Sequence, residues 1–159
     1  MSGFQLSAEG VEFVKSELKR YETRLSAVIP CLYRVQKENQ GWVSPESVSY
    51  LSQLMDIPEA HINEVLSFYT MFNREPVGRH HVQVCCNISC AMNGARELTE
   101  KICKELDVKE GEVSKDGKVT VTRVECLGSC GTAPMMQIND RYYENLTSDS
   151  ALKIIRELK

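Results

Sequence analysis

The sequence has no long apolar run. Nowhere does it approach the ~18 consecutive apolar residues of a membrane span, so direct insertion into a bilayer is not expected. It has no cationic run either. With 19 Lys and Arg against 22 Asp and Glu the formal net charge is −3, which argues against the basic surface of a nucleic-acid binder. Met1 to Lys15 show no basic flank followed by an apolar stretch, and they include Glu9 and Glu12. Neither a secretory signal nor an Arg-rich organelle presequence fits, and a cytoplasmic location is expected. There is no G-x-G-x-x-G run or other nucleotide motif, and no C-x2-C pair of the kind a dithiol oxidoreductase uses. What remains, at 159 residues with 42% hydrophobic and 26% charged, reads as a soluble globular chain of one ordinary domain or two small ones.

Against that background the seven cysteines, at positions 31, 85, 86, 90, 103, 126 and 130, are many. An odd number in a chain without a signal argues against a disulfide framework and for metal or cluster ligation. Four of them lie in two loops, Val84-Cys85-Cys86-Asn87-Ile88-Ser89-Cys90 and Glu125-Cys126-Leu127-Gly128-Ser129-Cys130-Gly131. Pairing Cys85 with Cys90 and Cys126 with Cys130 gives C-x4-C, a gap of 35 residues, then C-x3-C. Four thiolates satisfy a single zinc ion, and equally a two-iron, two-sulfide cluster. Gly128 and Gly131 around Cys130 allow backbone N–H groups to approach sulfur, which tilts the choice towards a cluster without closing it.

Cys86 with Cys90 would also give C-x3-C. Adjacent residues on an extended segment point to opposite sides, so one of Cys85 and Cys86 faces the metal, and residue chemistry leaves open which. Cys31 and Cys103 fall on apolar helix faces and read as core. His61 has no companion at ligand spacing. Arg79-His80-His81 shortly precedes the first loop, but four cysteines already complete a ligand set.

The periodicity divides the chain near residue 76. Residues 1–76 read as a helical bundle. Ser7 caps a helix over 8–20, and a second runs over 26–39 with Pro30 in its first turn and Gly41 at its end. Ser44-Pro45 starts a third. After the break at Ile57-Pro58, Ile62, Val65, Leu66 and Tyr69 carry a fourth helical pattern into Phe72. Trp42, Tyr50, Phe68 and Tyr69 read as core aromatics rather than a docking surface.

Glu75-Pro76-Val77-Gly78 reads as a linker to a second domain over 77–159. There, a strand over 81–84, a helix over 94–106 and a strand over 119–122 lead to a hairpin of 134–138 with 141–144, and a helix follows Thr147. The alternation of the second strand slips at Arg123-Val124. This is the order of a small α/β domain with a mixed sheet, which makes the whole chain α+β. Each cysteine loop follows a strand. If those strands are parallel, the gap is about one crossover long and both loops emerge at the same edge.

Cys126-Leu127-Gly128-Ser129-Cys130-Gly131-Thr132-Ala133-Pro134, continued by Gln137-Ile138-Asn139-Asp140 and Tyr142-Tyr143-Glu144-Asn145-Leu146-Thr147, closely resembles a family of thioredoxin-like [2Fe-2S] ferredoxins, the small cluster-bearing subunits of the NADH-oxidising module of NADH-quinone oxidoreductase (respiratory complex I). Gly41-Trp42-Val43-Ser44-Pro45-Glu46 and Ser67-Phe68-Tyr69-Thr70-Met71-Phe72 resemble that family's helical-domain motifs. The resemblance implies a helical bundle followed by a thioredoxin-like domain with one [2Fe-2S] cluster. Its ligands would be Cys85, Cys90, Cys126 and Cys130, with Cys86 at a variable position. It further implies an electron-transfer role beside a larger flavoprotein subunit that binds NADH and FMN, neither of which this chain would hold. The place implied is peripheral to the bacterial inner membrane, within an oxidoreductase complex in which the isolated chain catalyses nothing. Equivalent subunits of NAD-linked formate dehydrogenases and bifurcating hydrogenases, and a zinc-stapled binding module, are the alternatives.

Overall fold

The computed structural model describes residues 3–158. The chain divides into two compact units, Met1–Pro76 and Val77–Lys159.

The first unit is built of four helices, α1 (Ala8–Arg20), α2 (Val28–Glu38), α3 (Pro45–Met55) and α4 (Glu59–Phe68), with a single 3-10 turn, Leu25–Ala27, leading into α2. Ser7 caps α1, its hydroxyl accepting from Gly10 N–H at 3.0 Å. Ser44 does the same for α3, accepting from Ser47 N–H at 3.2 Å, with Pro45 behind it. The apolar positions at spacings of three and four meet in one core of Val14, Cys31, Leu32, Val35, Leu51, Met55 and Ile62.

Two expectations fail here. α4 stops at Phe68 instead of running into Phe72, because Tyr69 is extended and a turn closes with Phe72 N–H on the Tyr69 carbonyl at 3.2 Å. That turn buries Phe72, and the Asn73 N–H donates to the Gln36 side chain at 2.7 Å. Phe68 is left 77% exposed, so it is not a core residue.

The second unit holds a four-stranded sheet in the order β2-β1-β3-β4, formed by β1 (His80–Cys85), β2 (Val119–Val124), β3 (Met136–Ile138) and β4 (Arg141–Tyr143). β1 and β2 are parallel, in a register that sets Cys85 opposite Val124. β3 lies antiparallel to β1, and β4 antiparallel to β3 across a turn in which Asn139 takes a φ of 51°. After a short helix, α5 (Ile88–Met92), helix α6 (Ala95–Glu105) makes the crossover from β1 to β2, and α7 (Ser148–Arg156) closes the chain behind a Thr147–Ser150 capping box. Val82, Val84, Val121, Met136, Leu98, Ile102, Leu152 and Ile155 form the core between sheet and helices.

The slip in alternation at Arg123-Val124 does not end β2, whose pairing with β1 continues to Val124. Gly78, read from sequence as part of a linker, is packed in place. Its N–H donates to Thr120 Oγ1 at 2.8 Å, and a Cβ there would lie 2.6 Å from the Val119 backbone. Among the described residues no helix is long and apolar enough to cross a membrane.

Candidate metal centre

Two parallel strands joined by one crossover end at the same edge of a sheet. β1 and β2 therefore deliver the two cysteine loops to a common place. The first strand ends on Cys85 itself, whose N–H donates to the Met135 carbonyl at 3.2 Å. Asn87 then caps α5, its side chain accepting from Ile88 N–H at 2.7 Å. This turn was not expected from sequence; it tucks Cys90 into the core while Ile88 and Met92 point outward. On the other side, residues 125–129 form an open loop in which Gly128 takes a φ of +77°, and a 3-10 turn begins at Cys130. Ser89 ties the loops together, its hydroxyl donating to the Cys130 carbonyl at 2.9 Å.

Four of the seven thiols meet there as a series of neighbours. The Cys85 thiol interacts with those of Cys90 and Cys126, and Cys90 lies near enough to Cys130 to feel its charge. Cys85 and Cys90 are buried, Cys126 and Cys130 exposed. Cys86 faces elsewhere: its thiol donates to the Val124 carbonyl at 3.2 Å, on the neighbouring strand. Cys31 is at the centre of the helical core, where burial pushes its thiol up to about 12. Cys103 is half-buried on α6. His81 is buried in β1, its Nε2 at 2.8 Å from Thr122 Oγ1, and His61 pairs with Glu64.

The electrostatics of the two buried thiols differ, and Cys85 is the one whose surroundings favour negative charge on sulfur. Burial works to raise the Cys85 thiol, but the N–H groups of Asn87 and Leu127, with the thiols of Cys90 and Cys126, outweigh it and hold the group below its ordinary value. Cys90 moves the other way. Burial and the adjacent Cys85 raise it, against a single backbone donor at Met135. One thiol of a close pair ionises first and makes the second harder to ionise. A bound cation reverses that penalty, because it takes thiolates as ligands. Gly128 N–H adds a donor to Cys126 Sγ at 3.3 Å.

The donor set is all sulfur, two from each loop, with backbone N–H groups behind them. That fits an iron–sulfur cluster, whose properties depend on hydrogen bonds to sulfur. Among the described residues no three His, Cys, Asp or Glu side chains are gathered as ligands of a single metal ion.

Sequence reasoning overlooked the support behind the second loop. Tyr142 donates from its hydroxyl to the Leu127 carbonyl at 2.9 Å. The Glu144 carboxylate accepts from the hydroxyls of Ser129 and Thr132, the latter at 2.7 Å. Only the period of two across 142–144, with Tyr143 turned to the core between them, hints at this in the sequence.

Residues 14–159 match the family model described as Thioredoxin-like [2Fe-2S] ferredoxin. A subunit of the NADH-quinone oxidoreductase of Rickettsia bellii is 38% identical over 162 residues, covering 100% of this chain and 96% of its own length. NADH dehydrogenase [ubiquinone] flavoprotein 2, mitochondrial, of Dictyostelium discoideum is 39% identical over 98% of this chain and 64% of its own. Among solved structures, an NAD+-reducing [NiFe]-hydrogenase in the air-oxidized state superimposes with a TM-score of 0.66 at 21% identity. That match covers 79% of this chain and 22% of the hydrogenase chain, and what is shared is the fold. The chain belongs to the thioredoxin-like [2Fe-2S] ferredoxin family.

Proposed function

We propose that the chain is the electron-transfer subunit of the NADH-oxidising module of an NADH-quinone oxidoreductase, and that Cys85, Cys90, Cys126 and Cys130 hold one [2Fe-2S] cluster. Residues 77–159 are the cluster-carrying domain in this reading, and residues 1–76 a helical domain. The observation that carries it is the meeting of four thiols from two loops at the end of one parallel strand pair. Two Rickettsia relatives that bear the name of that oxidoreductase, matched over 96% and 88% of their length, support the assignment to such a complex.

A cluster of this type, when bound, stores one electron at a potential of roughly −400 mV if all its ligands are thiolates. The chain's own contribution is positional. The two loops fix the thiolates, the N–H groups of Asn87, Leu127, Met135 and Gly128 stabilise negative charge on sulfur, and the core beneath Cys85 and Cys90 keeps water from that side. Cys126 and Cys130, on the exposed side, are the natural point of electron entry and exit. The partner is a flavoprotein subunit that binds NADH and FMN, and the complex lies at the cytoplasmic face of a bacterial inner membrane.

The test is iron, zinc and acid-labile sulfide on anaerobically purified protein, with an EPR spectrum after dithionite reduction. About two irons and two sulfides per chain, with a spin-half signal, are expected. About one zinc and no sulfide would make the chain a zinc-stapled binding module instead. Copurification then identifies the complex, since a formate dehydrogenase or a hydrogenase would bring different catalytic subunits.

A further inference from the structure

The Leu127–Gly128 peptide is engaged at both ends. Its carbonyl accepts from the Tyr142 hydroxyl at 2.9 Å, and its N–H donates to Cys126 Sγ at 3.3 Å. Gly128 permits this orientation because its φ of +77° is one that a side chain resists. An amide polarised by a donor on its oxygen is a stronger donor through its nitrogen, since hydrogen bonds in series reinforce one another.

We propose that Tyr142 is a positioning residue for the metal centre: its hydroxyl, acting through the Leu127–Gly128 peptide, sets the strength of the hydrogen bond to the Cys126 sulfur and so raises the reduction potential of the group those thiolates hold. The inference rests on the ligand set proposed above.

Three features make the relay more than a loop contact. Tyr142 stands on β4, a strand paired residue by residue with β3, so its ring is presented from a fixed backbone. Two residues on, Glu144 takes the hydroxyls of Ser129 and Thr132, and Asn145 N–H donates to the Thr132 carbonyl at 2.8 Å; the loop is held on both sides of Cys130 and cannot drift from the tyrosine. Tyr142 is 48% exposed and lies outside the core cluster, so its hydroxyl serves no packing purpose.

The sign follows from charge. Reduction takes one electron from the reductant and adds one negative charge to the cluster and its thiolates. No proton moves, and no bond within the chain is made or broken. A donor aimed at sulfur stabilises the more negative state, so weakening it makes the potential more negative.

The test is a redox titration of the full-length, cluster-loaded protein, followed by EPR, for the wild type, Tyr142→Phe and Tyr142→Leu. Iron and sulfide are assayed in each. Both variants are expected to keep the cluster and to move the one-electron equilibrium constant about threefold towards the oxidised form, roughly 28 mV at 59 mV per tenfold. An unchanged potential in Tyr142→Phe overturns the proposal. So does a shift confined to Tyr142→Leu, which would assign the effect to shielding by the ring. Loss of the cluster from both variants overturns it as well, making Tyr142 a structural clamp. Absence of iron and sulfide from the wild type is a separate result, and it would remove the proposed function along with the relay.

Discussion

Cys85 and Cys86 are adjacent, yet one thiol joins three others and the other donates to a carbonyl of β2. Strand geometry accounts for this, since successive side chains on extended backbone take opposite sides. Cys126→Ala is therefore expected to abolish the cluster's visible absorbance and EPR signal, while Cys86→Ala leaves both in place. His81 makes a second prediction at this scale. Burial pushes its imidazole down from 6.5 to about 4, so the fold favours the neutral ring. The stabilisation is complete above about pH 6.5 and is lost as pH falls towards 4, amounting to about 3 kcal/mol. Urea denaturation at stepped pH should show that slope, and His81→Gln should flatten it. Two close cysteine groups were legible in the sequence because ligand spacing is a local signal, whereas the choice of Cys85 over Cys86 came from the family resemblance alone. Tyr142 and Glu144 were not, because they meet the second loop across a separation that no local pattern encodes.

Helices and strands were legible where periodicity and caps agreed. α1, α3 and α7 begin where Ser7, Ser44 and Thr147 mark them, and the parallel pair with its crossover follows from two strand patterns around one helical one. The failures lie where a tertiary contact overrides a local pattern. α4 ends early because Phe72 is wanted in the core and Asn73 is bound to Gln36. α5 forms inside a cysteine loop too short to show a period. Gly78 read as part of a linker, but it packs against the backbone of Val119 on β2. Gly78→Ala would push a methyl into the Val119 backbone, which cannot rotate away, and is expected to cost about 1–3 kcal/mol in chemical denaturation. Ser44→Ala removes the cap of α3 and should cost about 1 kcal/mol by the same measurement.

At the scale of the molecule, the chain carries two separate hydrophobic cores, one in each unit. Arg74, Glu75 and Pro76 between them are exposed. Brief trypsin treatment is expected to cut first at Arg74 and to leave two folded fragments, which mass spectrometry and circular dichroism of the separated pieces would detect. One-step digestion to small peptides would show instead that the units unfold together.

The parallel pairing of β1 with β2 also has a consequence in time. A growing chain emerges from the ribosome N-terminus first. β1, with Cys85 and Cys90 at its end, is complete well before its neighbour exists. Neither the sheet edge nor the second pair of sulfurs can form until β2 and the loop after it have been made. The helical unit can fold while synthesis continues, but the proposed binding site comes together only later, once both cysteine loops have been made. Iron and sulfide can be captured only after that point, and until they arrive two of the four candidate ligand thiols, Cys126 and Cys130, lie open to oxidants.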